Sequence, residues 1–185
     1  MLALFAVLCV VAALFLGISI GDLHAVRTAP ELLDSATVEQ MTHRATVHRL
    51  AGLSAALVVI LVNSIAVTYF IGTSRWCKEV VETYSLDRSL LQRSQQLKRS
   101  TFPWAISSML GVVGLVALGG AADPGTGMPN TADWVMPHFL AGFLVLGFVC
   151  LAFWMIAEKI RAHHQVITEI VAVVRQIRLE RGLEV

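Results

Sequence analysis

The chain has 185 residues, 56% of them hydrophobic, a mean hydropathy of +0.71 and a formal net charge of +1. This composition excludes an ordinary soluble domain and points to an integral membrane protein of all-α class, built as one bundle with no room for a separate soluble domain. It also gives no basis for nucleic-acid binding, because the charges are shared among the connections rather than gathered into one patch.

Four apolar stretches, about 2–20, 50–72, 102–121 and 136–157, approach the roughly 20 residues needed to cross a hydrocarbon core of about 30 Å. A four-helix transmembrane bundle is the expected fold, with a helical or coiled-coil tail over 158–185. Lys and Arg number three in 21–49, six in 73–101, none in 122–135 and five after Ala157. The positive-inside rule then places both termini and the 73–101 connection in the cytoplasm, in what we expect is a bacterial inner membrane. Cys9, Cys77 and Cys150 are scattered and odd in number, which reads as packing rather than a disulfide framework or a metal motif.

The first span lacks a basic leader and a small-x-small cleavage site before Asp22, so an uncleaved helix is expected. Pro30 breaks the connection that follows. Asp34 or Ser35, with Thr37 and Gln40, offers a helix cap. From there no Pro interrupts the chain until beyond the second span. That span carries one strongly polar residue, Asn63, read as a hydrogen-bonding link between helices. In the 73–101 connection, apolar residues at helical spacing on both sides of Ser85, with Asp87 as a cap, predict a helical hairpin. Its basic residues are placed to meet anionic headgroups. Pro103 is expected in the first turn of the third span, where a missing N–H is harmless. Ser107, Gly111 and Gly114 form a small-residue stripe suited to close helix contact. The loop 119–133 is rich in Gly and Pro, and Asp133 and Trp134 are expected to cap and anchor the fourth helix.

Beyond the fourth span, Ile160, Ile167 and Val174 alternate with Ile156, His163, Ile170 and Ile177 at a and d spacing. This seam suits either a coiled coil of three or more strands or a helix lying on the protein's own hairpin. The adjacent pair His163-His164 is read as solvent-exposed.

The feature that repeats is His48-Arg49-Leu50-Ala51-Gly52 against His138-Phe139-Leu140-Ala141-Gly142. Each histidine lies four residues before a glycine, so each imidazole stands on the same helix face as a gap in the side-chain coat. His48 is about 25 residues from the inner end of its span and His138 about 20, which puts them within about two turns of one level at roughly 1.5 Å per residue. A flat macrocycle with a metal at its centre needs two such ligands and such gaps, and helix bundles hold cofactors with inward-facing ligands. The expectation is haem b ligated by His48 and His138, a closed coordination suited to electron transfer. Gly52 and Gly142 would make room, and Arg49 or Arg44 would pair with a propionate. His43 stands about 140° around the helix from His48 and is the alternative ligand.

The arrangement resembles one four-helix half of the haem A synthase family and membrane cytochrome b-type bundles. The resemblance rests on His48-Arg49, on the matched histidines of the second and fourth helices, and on Glu39 followed by His43-Arg44. It implies a haem site. The second half and the paired outer-loop cysteines of that family are absent, so haem A synthesis is not implied. His48-Arg49-Leu50-Ala51-Gly52 is also similar to a His-Arg-x-x-Gly stretch in the quinone-binding anchors of succinate dehydrogenase, although the fourth helix has no counterpart there.

No nucleophile–base pair, phosphate loop or carboxylate pair occurs, and no acidic residue lies within a span, so no catalytic role is expected. Two functional readings stand at this point. One is a haem b electron-transfer or accessory subunit with a quinone or redox partner. The other is a cofactor-free scaffold in the lipid bilayer, forming a homo-oligomer or joining a membrane complex through small-residue packing and the coiled coil.

Overall fold

The computed structural model describes residues 1–183, and the chain is 90% helical with no strand among the described residues. Five α-helices follow in order: α1 (Leu2–Ile18), α2 (Leu23–Thr28), α3 (Ser35–Tyr84), α4 (Arg88–Ala122) and α5 (Val135–Glu180). Short 3-10 turns at Pro30–Leu32, Pro124–Thr126 and Thr131–Trp134 complete the connections. The helices α3, α4 and α5 are each long and apolar enough to cross a membrane. At 17 residues α1 stands at the lower edge of the length a crossing needs.

Local chemistry sets the helix ends. Asp34 caps α3 by accepting hydrogen bonds from the Thr37 amide and hydroxyl, both at 2.8 Å. These bonds hold its carboxyl below the ordinary carboxylate range. α3 then runs 50 residues, about 75 Å, because neither Pro nor an unsupported polar run interrupts it. It stops at Tyr84, where Ser85 takes a left-handed conformation (φ 54°) and the Leu86 amide bonds back to the Val81 carbonyl. That is the six-to-one closure of a helix C-terminus. Asp87 starts α4 by accepting from the Ser89 amide at 2.9 Å and hydroxyl at 2.7 Å. The expected hairpin is therefore present, with its bend at Ser85.

Pro103 departs from expectation. The hairpin helix continues without a break into the third apolar stretch, so Pro103 lies inside α4 rather than in a first turn. Its ring leaves the Arg99 carbonyl without an amide donor. Two hydroxyls adjoin this gap, those of Ser100 and Thr101, both bonded back to the Leu97 carbonyl.

The chain divides into two compact units, one of Met1–Val62 with Ser107–Leu151 and the other of Asn63–Ile106 with the chain from Ala152 onward. In the first unit the buried residues are mostly small: Ala6, Val10, Ala13, Ala45, Ala55 and Ala56. The large apolar residues face outward instead, as Leu50, Leu53, Leu57 and Leu61 do at three- and four-residue spacing along α3. This inversion is what lipid selects, since hydrocarbon solvates leucine and close helix contact favours small side chains. On α4 the buried small residue is Ser108, with Gly111 against Val145, while Ser107 and Gly114 are exposed. The contact face is thus rotated from the expected stripe.

In the second unit α5 lies on the hairpin. Val166 and Ile170 are buried with Cys77 and Val81, flanked by Val80, Leu86, Leu90, Leu91, Leu97, Ile167 and Val174. A smaller cluster joins Ala66, Ala105 and Ile156, with Ile160 beside them. The heptad seam is therefore filled by the chain's own hairpin. The final two residues of the tail lie outside the described residues. His163 corrects the sequence reading, for it is fully buried, while His164 is exposed. The seam turns His163 inward, and its ring is satisfied there by Ser94 Oγ at 2.8 Å and Tyr69 OH at 3.3 Å.

Candidate functional site

Within the first unit α3 and α5 bring His48 and His138 together. Their ring centres lie 6.2 Å apart, with planes at 71°. Both rings line one cavity of about 660 Å³, well within the range of small-molecule and cofactor sites. Val10, Ala13, Ala55, Ala56 and Val112 close its apolar part. The polar end is formed by Asp22 and His24 of the α1–α2 connection and α2, and by Arg49 and Asp123. There α2 packs on the Pro124–Thr126 turn.

Each imidazole has a seat on a neighbouring helix. The His48 ring lies over Gly17 of α1, so closely that a Cβ there would come within 2.8 Å of Cε1. One turn earlier on the same helix, the Ala13 carbonyl accepts a hydrogen bond from His48 Nδ1 at 2.9 Å. A backbone carbonyl can only accept, so Nδ1 carries the proton and Nε2 keeps its lone pair. Opposite, the His138 ring lies over Gly119 of α4, where a Cβ would stand 3.0 Å from Cε1. The Leu115 carbonyl, again one turn earlier, interacts with this ring. His138 Nδ1 is buried and lacks a well-formed hydrogen bond. The two half-sites therefore repeat one design, a histidine on one helix and an i, i+4 carbonyl-and-glycine seat on its partner.

The glycines named from sequence behave differently from each other. Gly52 opens onto free space, whereas a Cβ at Gly142 would meet Leu14 Cδ1 at 2.9 Å. The gap expected at Gly142 is occupied by Leu14, although both glycines line the cavity.

Arg49 lines the cavity and forms a two-point ion pair with Asp123, Nε to Oδ2 at 2.6 Å and Nη2 to Oδ1 at 2.8 Å. Asp123 Oδ1 also accepts from the Gly125 amide. The arginine is 43% exposed, so solvent screens the pair and it contributes on the order of 1 kcal/mol. Arg44 is not part of the cavity wall, and its Nη1 donates to the Ser19 carbonyl at 2.9 Å. His43 is exposed and also outside the cavity.

Sequence reasoning missed four contributors: Gly17, Gly119, Asp123 and His24. A signal for the first two existed, since Leu16-Gly17 and Leu118-Gly119 recur near the ends of the first and third apolar stretches. His24 and Asp123 carried none, because their place depends on how the two loops fold over the cavity. Among the described residues no group of three or more His, Cys, Asp or Glu side chains could hold a bare metal ion. Three imidazoles line the cavity, His24, His48 and His138, and of these His48 and His138 are in ring contact. No family model, no curated protein and no solved structure matches this chain.

Proposed function

We propose that the chain is a four-span membrane protein that binds haem b between His48 and His138 and serves electron transfer, with its histidine end toward the outer face of a bacterial inner membrane. One observation carries the reading, the 6.2 Å spacing of two imidazoles over an open, mainly apolar cavity. A metal bonded at ~2 Å by each of two opposed ring nitrogens, each nitrogen ~1 Å from its ring centre, separates the ring centres by about 6 Å. The residues fit the group in other respects. His48 is fixed in the tautomer that presents Nε2, the arrangement typical of a metal-ligating histidine. Small residues leave width for a flat macrocycle, and the cavity has one apolar and one polar end, as an amphiphilic porphyrin requires.

Haem, when bound, would supply one-electron chemistry. His48 and His138 would hold the iron and the apolar wall would keep solvent from it, a closed ligation that would disfavour oxygen binding. Partner proteins, and any quinone that exchanges electrons here, are part of the same proposal.

The test is the visible spectrum of the full chain purified in detergent. A reducible Soret band is expected, and it should be lost in both His48→Ala and His138→Ala while His43→Ala keeps it. A colourless preparation that also fails to take up added haem would refute the reading and leave a scaffold held together by its helix packing.

A further inference from the structure

We infer that His24 and Arg49 together bind the carboxylate edge of the macrocycle, and that His24 is a main determinant of selectivity for a carboxylate-bearing porphyrin. This inference rests on the haem reading above. The cavity has one polar end, and two side chains there, Arg49 and His24, keep ring or guanidinium nitrogens free to donate to a ligand. Asp22 can only accept, and its Oδ1 takes the His24 and Ala25 amides of α2 at 3.1 and 3.2 Å. Asp123 is engaged with Arg49 and the Gly125 amide through both oxygens. Arg49 uses Nε and one Nη2 hydrogen on Asp123, so the Nη1 donors remain. His24 lines the same cavity, and its Nε2 is buried with no hydrogen-bond partner.

A buried ring nitrogen without a partner is costly and rare in folded proteins. A ligand group at this end would relieve that cost. Arg49 is the only Lys or Arg side chain on the cavity wall, and its pairing with Asp123 leaves little net positive charge for an anion. A carboxylate arriving here therefore depends on a second donor, and an imidazole can provide one. A neutral polar ligand edge would gain less, because a hydrogen bond to an ionised group is about twice as strong as one between neutral groups. The same geometry orients the macrocycle, with its acidic edge under the loops and its apolar edge among Ala55, Ala56 and Val112.

The experiment titrates haem b and its dimethyl ester, in which both carboxylates are capped, into the full chain purified from haem-limited cells. Binding is read from the Soret shift, and ligation from the ferric and ferrous spectra. The native chain should bind haem b about ten- to a hundredfold more tightly than the ester. His24→Phe should reduce that preference roughly tenfold while keeping the bis-imidazole spectrum, and His24→Gln, which retains a donor, should recover part of it. Equal affinity for haem b and ester in the native chain would overturn the inference, as would full preference in His24→Phe. In either case a bis-imidazole spectrum would leave the haem reading standing. Failure of both porphyrins to give that spectrum would remove the haem reading, and this inference with it.

Discussion

Gly17 and Gly119 set how near the histidines can stand to the helices behind them. A methyl group at either position would enter the space of an imidazole edge, at 2.8 Å from His48 and 3.0 Å from His138. Replacing a helical glycine by alanine gains about 1 kcal/mol of helix propensity, against an overpacking cost of about 1–3 kcal/mol. Gly17→Ala and Gly119→Ala should therefore shift the thermal midpoint only modestly. Each should nonetheless displace its imidazole and weaken haem retention by tenfold or more, measured by Soret absorbance after dialysis. Unchanged retention in both would show that the seats do not position the ligands. Gly52→Ala is the contrasting substitution for stability, since its Cβ would meet no protein atom within 4 Å, and the thermal midpoint should not fall. His48 and His138 could be read from the chain because they sit in matched pentapeptides. Their seats were harder to see, since a glycine seat is a relation between two helices and leaves only a Leu-Gly pair on each.

At the scale of elements, α5 shows how far a periodic pattern can be followed. Its a and d residues announced a buried face, but spacing alone does not say whether another chain or the chain's own hairpin covers it. The hairpin covers it, because Val80, Leu90, Leu91 and Leu97 present the complementary apolar surface on α3 and α4. Ile170 is fully buried there, and Ile170→Ala should cost about 2–5 kcal/mol. Chemical or thermal unfolding in detergent measures that loss, and a cost well under 1 kcal/mol would mean that this contact does not hold α5 to the hairpin.

His163 lies on the same face, and its misreading has a physical origin. A histidine in an isoleucine seam looks like a surface residue until Ser94 and Tyr69 supply its partners. Burial lowers its basicity below the usual histidine value of 6.5, and its hydrogen-bond partners, the Tyr69 and Ser94 hydroxyls, carry no charge. The unfolded chain then binds a proton that the folded chain refuses, so stability is full above pH 6.5 and falls as pH drops below it. Unfolding midpoints should decline between about pH 6.5 and 5, and His163→Gln should flatten that decline. A native profile that stays level over this range would contradict the buried neutral imidazole. Pro103 was misplaced for a related reason. The sequence marks where apolar residues begin, while α4 begins fifteen residues earlier, at the Asp87 cap.

For the whole molecule, helical class and the crossing length of α3, α4 and α5 were legible from composition and run length, whereas α1, expected as a fourth span, is a shorter apolar helix of 17 residues. The two-unit division was not, since α3, α4 and α5 each run through both units without a change of sequence character. The histidine site belongs entirely to one unit. The plan repeats there, in that α1 seats a histidine of α3 and α4 seats one of α5, and under the proposed function these two histidines would hold the haem. The imidazole planes are turned 71° from each other, and in the proposed bis-imidazole complex that angle would set the splitting of the iron d orbitals.

Electron paramagnetic resonance of the oxidised, haem-loaded chain is the most direct measurement. A strongly anisotropic low-spin ferric signal, as nearly crossed imidazole planes produce, is the expected result, and it should disappear when either His48 or His138 is replaced by alanine. A high-spin signal in the native chain, or a low-spin signal that survives both substitutions, would contradict axial ligation by His48 and His138.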